Sequence, residues 1–173
     1  MHINKKIASA IAATLMLGTV LVGCGNGNSG SEKVKHTAAL VTDGGSIDDK
    51  SFNQSAWEGL EAWGKENKLE KGVNGYNYAQ SNSDADFTPN INKLIKYSTI
   101  FGIGYKLAPA IKKTAKQNPK TNFVIIDDVV SGKNVASVTF KSEQSSFLAG
   151  VAAAETTKTN KVGFLGGVKS DVI

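Results

Sequence analysis

From residue 36 onward, short apolar runs alternate with longer segments of helical spacing, and this alternation limits the possible folds more than any other feature of the chain. Thr37-Ala-Ala-Leu-Val-Thr42 reads as a strand that ends at the turn signal Asp43-Gly44-Gly45. Phe52, Ala56, Leu60 and Trp63 then fall on one face of a helix ending near Asn67. Residues 74–79 alternate as a strand does. Phe87, Ile91, Leu94 and Ile95 mark a second helix, residues 99–102 a strand, and residues 107–118 a helix that Pro119 helps to terminate. Phe123-Val-Ile-Ile-Asp127 is continuously apolar up to its closing aspartate, which predicts a strand buried on both faces. Strands are also predicted over 135–140 and 162–165, with an alanine-rich helix over 143–157 between them. Strand and helix in turn predict an α/β fold, a parallel sheet with helices on both faces. Ligands of such folds sit outside the carboxyl ends of the strands, which directs attention to the loops that begin at Asp43, Ala79, Gly102 and Asp127.

The segment before residue 36 has a different character. Lys5 and Lys6 precede 16 uncharged residues, 7–22, the pattern of a signal peptide. A transmembrane anchor is the competing reading, but spanning a bilayer takes about 20 apolar residues. Leu21-Val22-Gly23-Cys24 closes the run in the manner of a bacterial lipobox, and Cys24 is the only cysteine of the 173-residue chain. Cleavage before Cys24 and attachment of diacylglycerol to its thiol are therefore expected, with residues 24–35, rich in glycine, asparagine and serine, as a flexible tether. Removing Lys5 and Lys6 takes the formal charge from +5 to +3. The expected site of action is the extracytoplasmic face of the cell membrane, reached through the N-terminal lipid.

Composition excludes several chemistries. All 20 basic residues are lysines, so no side chain can grip phosphate or carboxylate with a guanidinium fork, and a neutral ligand is favoured. Two histidines and one cysteine put a His/Cys metal cluster out of reach, and no intramolecular disulfide can form. Without arginine, and with an export signal, nucleic acid is not an expected partner. Gly163-Phe-Leu-Gly-Gly-Val-Lys169-Ser170 approaches a P-loop, but Val168 stands where the cradle needs glycine; Gly102-Ile-Gly104 lacks the third glycine of a dinucleotide fingerprint. No cofactor and no metal are expected. The one histidine after the signal segment, His36, lies at the opposite end of the first strand from the expected site, so no catalytic residues are assigned and an enzyme is not expected.

The most informative loop is Asp43-Gly-Gly-Ser-Ile-Asp-Asp-Lys-Ser-Phe-Asn53. Gly44 and Gly45 let the backbone approach a ligand, Asp43 can accept hydrogen bonds from hydroxyls, and Phe52 offers a flat apolar face. Carboxylate plus aromatic suits a sugar or nucleoside; a helix cap and a core phenylalanine explain the same residues equally well on physical grounds. The doublets Asp48-Asp49 and Asp127-Asp128 are not automatic acid/base pairs, because neighbours on a strand point to opposite faces.

This loop, extended to Val41-Thr-Asp-Gly-Gly-Ser-Ile-Asp-Asp-Lys-Ser-Phe-Asn-Gln-Ser-Ala-Trp-Glu-Gly59, resembles the opening of the basic membrane protein family of substrate-binding lipoproteins, the purine-nucleoside receptor type. Residues 100–105, 118–127, 140–150 and 163–167 agree with that family in order. The resemblance implies a type I periplasmic-binding-protein fold, in which two α/β lobes close on a ligand and deliver it to an ABC transporter permease. It implies ligand contacts at Asp43, near the ribose, at Phe52, stacked on the base, and at Asp127, with Asn53, Gly44 and Gly45 as further contacts. Family members are about twice this long. Residues 36–140 are then expected to form the first lobe, and residues 141–173 the crossover and truncated start of the second. A surface-exposed interaction or sensor lipoprotein is the alternative, and a single lobe is expected to bind nucleosides poorly.

Overall fold

The computed structural model describes residues 36–166. The elements follow one another as β1 (Ala38–Val41), α1 (Phe52–Glu66), β2 (Tyr76–Ala79), a 3-10 turn (Asp84–Asp86) running into α2 (Phe87–Lys93), and β3 (Thr99–Gly102). A second 3-10 turn (Tyr105–Leu107) then leads into α3 (Ala108–Gln117), followed by β4 (Asn122–Ile126), β5 (Val135–Val138) and α4 (Ser142–Thr156). All five strands pair in parallel in the order β2-β1-β3-β4-β5, as the alternation of elements predicts. The chain starts in the middle of the sheet, steps outward to β2, then returns across β1 to β3 and beyond. Right-handed crossovers turn that reversal into a division of helices between faces.

One face carries α2 and α3, with Phe87, Ile91, Leu107 and Ile111 packed on Ala39, Val41, Ile100, Phe123 and Ile125. The other carries α1, whose Trp57 and Leu60 pack on Ala38, Leu40, Tyr76 and Ile103. β1 lies between these layers, and all four of its residues are buried. Burying each large apolar side chain stabilises the fold by about 1.5–3 kcal/mol, so the two layers supply most of the favourable free energy. At the amino ends of β1 and β3, Thr37 and Ser98 clasp one another. The Thr37 N–H donates to Ser98 Oγ (2.8 Å), the Ser98 N–H to Thr37 Oγ1 (3.0 Å), and the Ser98 hydroxyl to the Thr37 carbonyl (2.6 Å).

Three expectations need correction. The predicted apolar stripe of α1 is not its most buried one. Asn53, Trp57, Leu60 and Gly64 are buried, while Phe52, Ala56 and Trp63 face a trench beside the helix. The helix is apolar over a wider arc than one sheet contact can cover. β4 is not buried on both faces either: Phe123 and Ile125 lie beneath α3, but Val124 and Ile126 remain partly open, since α1 does not reach over them. Residues 162–165 form no strand, because none of the described strands pairs with them and an apolar run without a ladder partner has no reason to extend. The alanine-rich helix exists as α4, but it buries no residue and leaves Phe147, Leu148 and Val151 exposed.

The eight residues between β4 and β5 contain no helix. Asn134 closes this connection by donating from Nδ2 to the carbonyls of Ala115 (3.2 Å), Asn118 (3.0 Å) and Thr121 (2.8 Å), which ties it to the end of α3 and the turn that follows. Residues 1–35, with the expected signal peptide, Cys24 and tether, lie outside the described residues, as does the Lys169-Ser170 end of the P-loop-like run. Among the described residues no helix is long and apolar enough to cross a membrane.

Candidate functional site

The strand order reverses between β1 and β3, so the loops that leave these two strands part company and open a crevice at their carboxyl ends. The loop after β1 is tied down first by Thr42, a buried residue whose Oγ1 accepts the Ser81 N–H at 3.1 Å. Asp43 and Gly44 follow. Gly44 has φ +133°, a conformation that a residue with a Cβ rarely adopts. The chain then turns back into α1 through a carboxylate cap. Asp49 Oδ1 accepts the N–H groups of Ser51 (2.8 Å) and Gln54 (3.1 Å), and Oδ2 accepts the Asn53 N–H (3.3 Å) and side-chain Nδ2 (2.9 Å). Burial alone would raise the Asp49 pKa, but the backbone bonds from Gln54 and Ser51 and those from Asn53 outweigh it, and the carboxyl is held below its usual range.

Asn53 carries this network one step further, since its Nδ2 also donates to Asp43 Oδ1 at 3.2 Å. The Asn53 side chain is 2% exposed. Gly45 leaves room for it, because a Cβ there would stand 2.6 Å from Asn53 Nδ2. From the other side, Gly104 in the loop after β3 has φ +100° and lies against the same aspartate. A Cβ on Gly104 would be 2.9 Å from Asp43 Oδ2.

Phe52 and Asp127 come together on the neighbouring trench, a space of about 870 Å³ running along the flank of α1 across β1, β3 and β4. Phe52, the first residue of α1, is 69% exposed. Asp127 ends β4 with φ +65°, and its N–H donates to the Val138 carbonyl at 2.9 Å. Partial burial pushes the Asp127 carboxyl above its usual pKa. Ile103 and Ile126 line the same space, so an aromatic face, apolar walls and a partly desolvated carboxylate share one opening. His36 lines the far, amino-terminal end of the same trench.

Of the residues singled out in the sequence, Phe52 and Asp127 therefore share the trench, Asp43 and Asn53 share a hydrogen bond, and Gly44 and Gly45 shape the loop. The doublets separate. Asp49 caps the helix while Asp48 is exposed and accepts from the Ser46 hydroxyl; Asp128 accepts the N–H of its own neighbour Val129. Two contributors were not anticipated. Asp49 could have been suspected from its place just ahead of Ser51 and the helix start, whereas the role of Gly104 shows only in its approach to Asp43. Among the described residues no group of three or more His, Cys, Asp or Glu side chains could hold a metal ion.

The model of the family described as ABC transporter substrate-binding protein PnrA-like matches residues 36–173. The chain is 51% identical over 177 residues to the ABC transporter nucleoside-binding protein BmpA of Lactococcus lactis subsp. cremoris, with 98% of this chain and 50% of that protein covered. It is 50% identical over 179 residues to the CD4+ T-cell-stimulating antigen of Listeria innocua, again with 98% and 50% covered. The chain thus spans about half the length of these curated relatives. Among solved structures, an ABC transporter system solute-binding protein from Aeropyrum pernix K1 shares the fold with a TM-score of 0.61 at 22% identity, over 69% of this chain and 32% of that one. With a family model matched from residue 36, just ahead of the first strand, to residue 173, the chain belongs to the Bmp family of PnrA-like ABC transporter substrate-binding proteins.

Proposed function

We propose that this chain supplies one ligand-contacting lobe of an extracytoplasmic receptor for purine nucleosides that serves an ABC importer, anchored to the membrane through lipid on Cys24. The observation that carries the reading is the opening that Phe52 and Asp127 share, with Asp43 bonded to Asn53, the residue after Phe52. An exposed aromatic ring can stack on a base, and the carboxylates can accept hydrogen bonds from ribose hydroxyls or base N–H groups. The lack of arginine agrees with a neutral solute. The Lactococcus lactis relative, named as nucleoside-binding, supports the ligand class. Residues 36–140 are assigned to the first lobe and the segment from 141 to the passage toward a second.

The test is titration of adenosine up to millimolar concentration into the purified chain, followed by calorimetry and by NMR shifts of the β1 and β4 loops. Phe52→Ala is expected to weaken binding by about 1–3 kcal/mol, the value of one base stacked on one aromatic ring. Asp43→Asn is expected to cost a similar amount through loss of a charge-assisted bond, about 1.5–3 kcal/mol. If both variants bind adenosine as the parent does, the ligand does not sit at this crevice.

A further inference from the structure

We infer that Asn53 and Gly104 act on the ligand only through Asp43: together they are a two-sided vise that fixes the direction of its carboxylate. This rests on the assignment of Asp43 as a ligand contact. Asn53 has its Nδ2 on Asp43 Oδ1 at 3.2 Å and on Asp49 Oδ2 at 2.9 Å, so the amide group spans two acidic acceptors. That settles which way the amide points, because the reversed orientation would set Oδ1 against two carboxylate oxygens. On the opposite side of Asp43, the bare α-carbon of Gly104 admits Oδ2 to a position that a methyl group would occupy. One carboxylate oxygen is thus held by a hydrogen bond, and the other takes the space that Gly104 leaves free.

A purely structural role for Asn53 fits its surroundings poorly. Its Oδ1 is buried with no partner, so the side chain carries an unsatisfied acceptor inside the protein. An apolar residue of similar size would remove that unsatisfied acceptor, at the cost of the two bonds to Asp43 and Asp49. Asp43 and Asp49 are each partly exposed and can turn to water if the amide is lost. What an apolar replacement would forfeit is the direction of Asp43. With Asn53 this deeply buried, the sequence-based assignment of Asn53 as a direct ligand contact gives way to that of a positioning residue.

The experiment uses the full chain and two variants that attack the vise from opposite sides, Asn53→Leu and Gly104→Ala. The first readout needs no ligand: three-bond couplings to the Asp43 β-protons report whether its side chain keeps one staggered rotamer. One rotamer is expected in the parent and averaged couplings in Asn53→Leu, measured at a temperature where both are folded. Should Gly104→Ala fail to fold, Asn53→Leu decides alone. The second readout is adenosine affinity, expected to fall about tenfold in each variant, with no further fall when either change is added to Asp43→Ala. Unchanged Asp43 couplings in Asn53→Leu, or affinity losses that add fully to those of Asp43→Ala, would overturn the inference. A parent chain that shows no adenosine response would count against the nucleoside reading alone, and the coupling measurement would still decide the vise.

Discussion

Replacing Asp49 by alanine should be the most damaging single change at an exposed or half-exposed polar position of the described fold. Its carboxylate accepts three backbone N–H groups at the start of α1, at 2.8, 3.1 and 3.3 Å, and the Asn53 side chain at 2.9 Å. Loss of a helix cap costs about 0.5–2 kcal/mol. A hydrogen bond to a charged group is worth about 1.5–3 kcal/mol, but Asn53 keeps Asp43 as a second acceptor, so only the low end of that range applies. The two contributions overlap through Asn53, and a total of about 2–3 kcal/mol is expected. For a domain of this size that lowers the thermal midpoint by roughly 6–12 °C. The assay is urea unfolding followed by the fluorescence of the buried Trp57 and the half-buried Trp63, with Asp48→Ala as the control that removes an exposed neighbour and no cap. The pH dependence has a definite sign. The folded pKa of Asp49 is lowered, so its contribution is complete above the unfolded value of about 3.9 and disappears as pH falls through the folded value. The gap between parent and variant should be flat from neutral pH to about pH 5 and close below about pH 4. A loss under about 0.5 kcal/mol, or one equal to that of Asp48→Ala, would refute the assignment of Asp49 as the cap.

Three further outcomes are expected. Gly64→Ala would drive a Cβ into the Tyr76 ring, costing about 1–3 kcal/mol against the roughly 1 kcal/mol that alanine gains in a helix, whereas Gly59→Ala, with nothing within 4 Å, should gain up to that amount; equal urea midpoints for the two variants would contradict this packing. Asp127→Asn, chosen because asparagine tolerates positive φ, should raise stability slightly at neutral pH by removing a partly desolvated charge; it should also weaken adenosine binding and flatten the decline in affinity that the parent shows as acid protonates Asp127 above the usual carboxylate range, all of which calorimetry between pH 4 and 7 can follow. Cys24→Ser should move the protein out of the membrane fraction or leave an unprocessed precursor, since stable anchoring takes two acyl chains; mature protein still retained in the membrane would exclude the lipid anchor.

The bounded apolar runs were legible in the sequence because each one carried its own punctuation. Residues 99–102 are β3 to the residue, and the helix expected over 107–118 ends beside Pro119 as α3 with its preceding turn. The misreadings share a cause, which is that burial is decided by a partner and not by the segment. Phe52, Ala56 and Trp63 form a true apolar stripe, yet α1 turns Trp57 inward because Tyr76 and Tyr78 wait there, with ring centroids 5.6 and 4.9 Å away. Residues 162–165 have strand composition and, among the described residues, no strand that pairs with them. At the crevice, Asp43, Phe52 and Asp127 were visible from their places at strand ends and a helix start. Gly104 was not, since its meaning comes from a contact with Asp43, 61 residues earlier, that no local pattern encodes.

The clasp between Thr37 and Ser98 acquires a second meaning from that contact. β1 and β3 advance in step, Ala38 beside Thr99 and Val41 beside Gly102, and two residues further on Asp43 meets Gly104. A slip of one residue would present Ile103 or Tyr105 to the aspartate and exchange the two faces of β3, taking Ile100 out from beneath its helices. Sliding the strands would also break the three hydrogen bonds at the amino end. The alignment of the crevice is thus keyed from the opposite edge of the sheet, by a hydroxyl pair that no ligand at the crevice would touch.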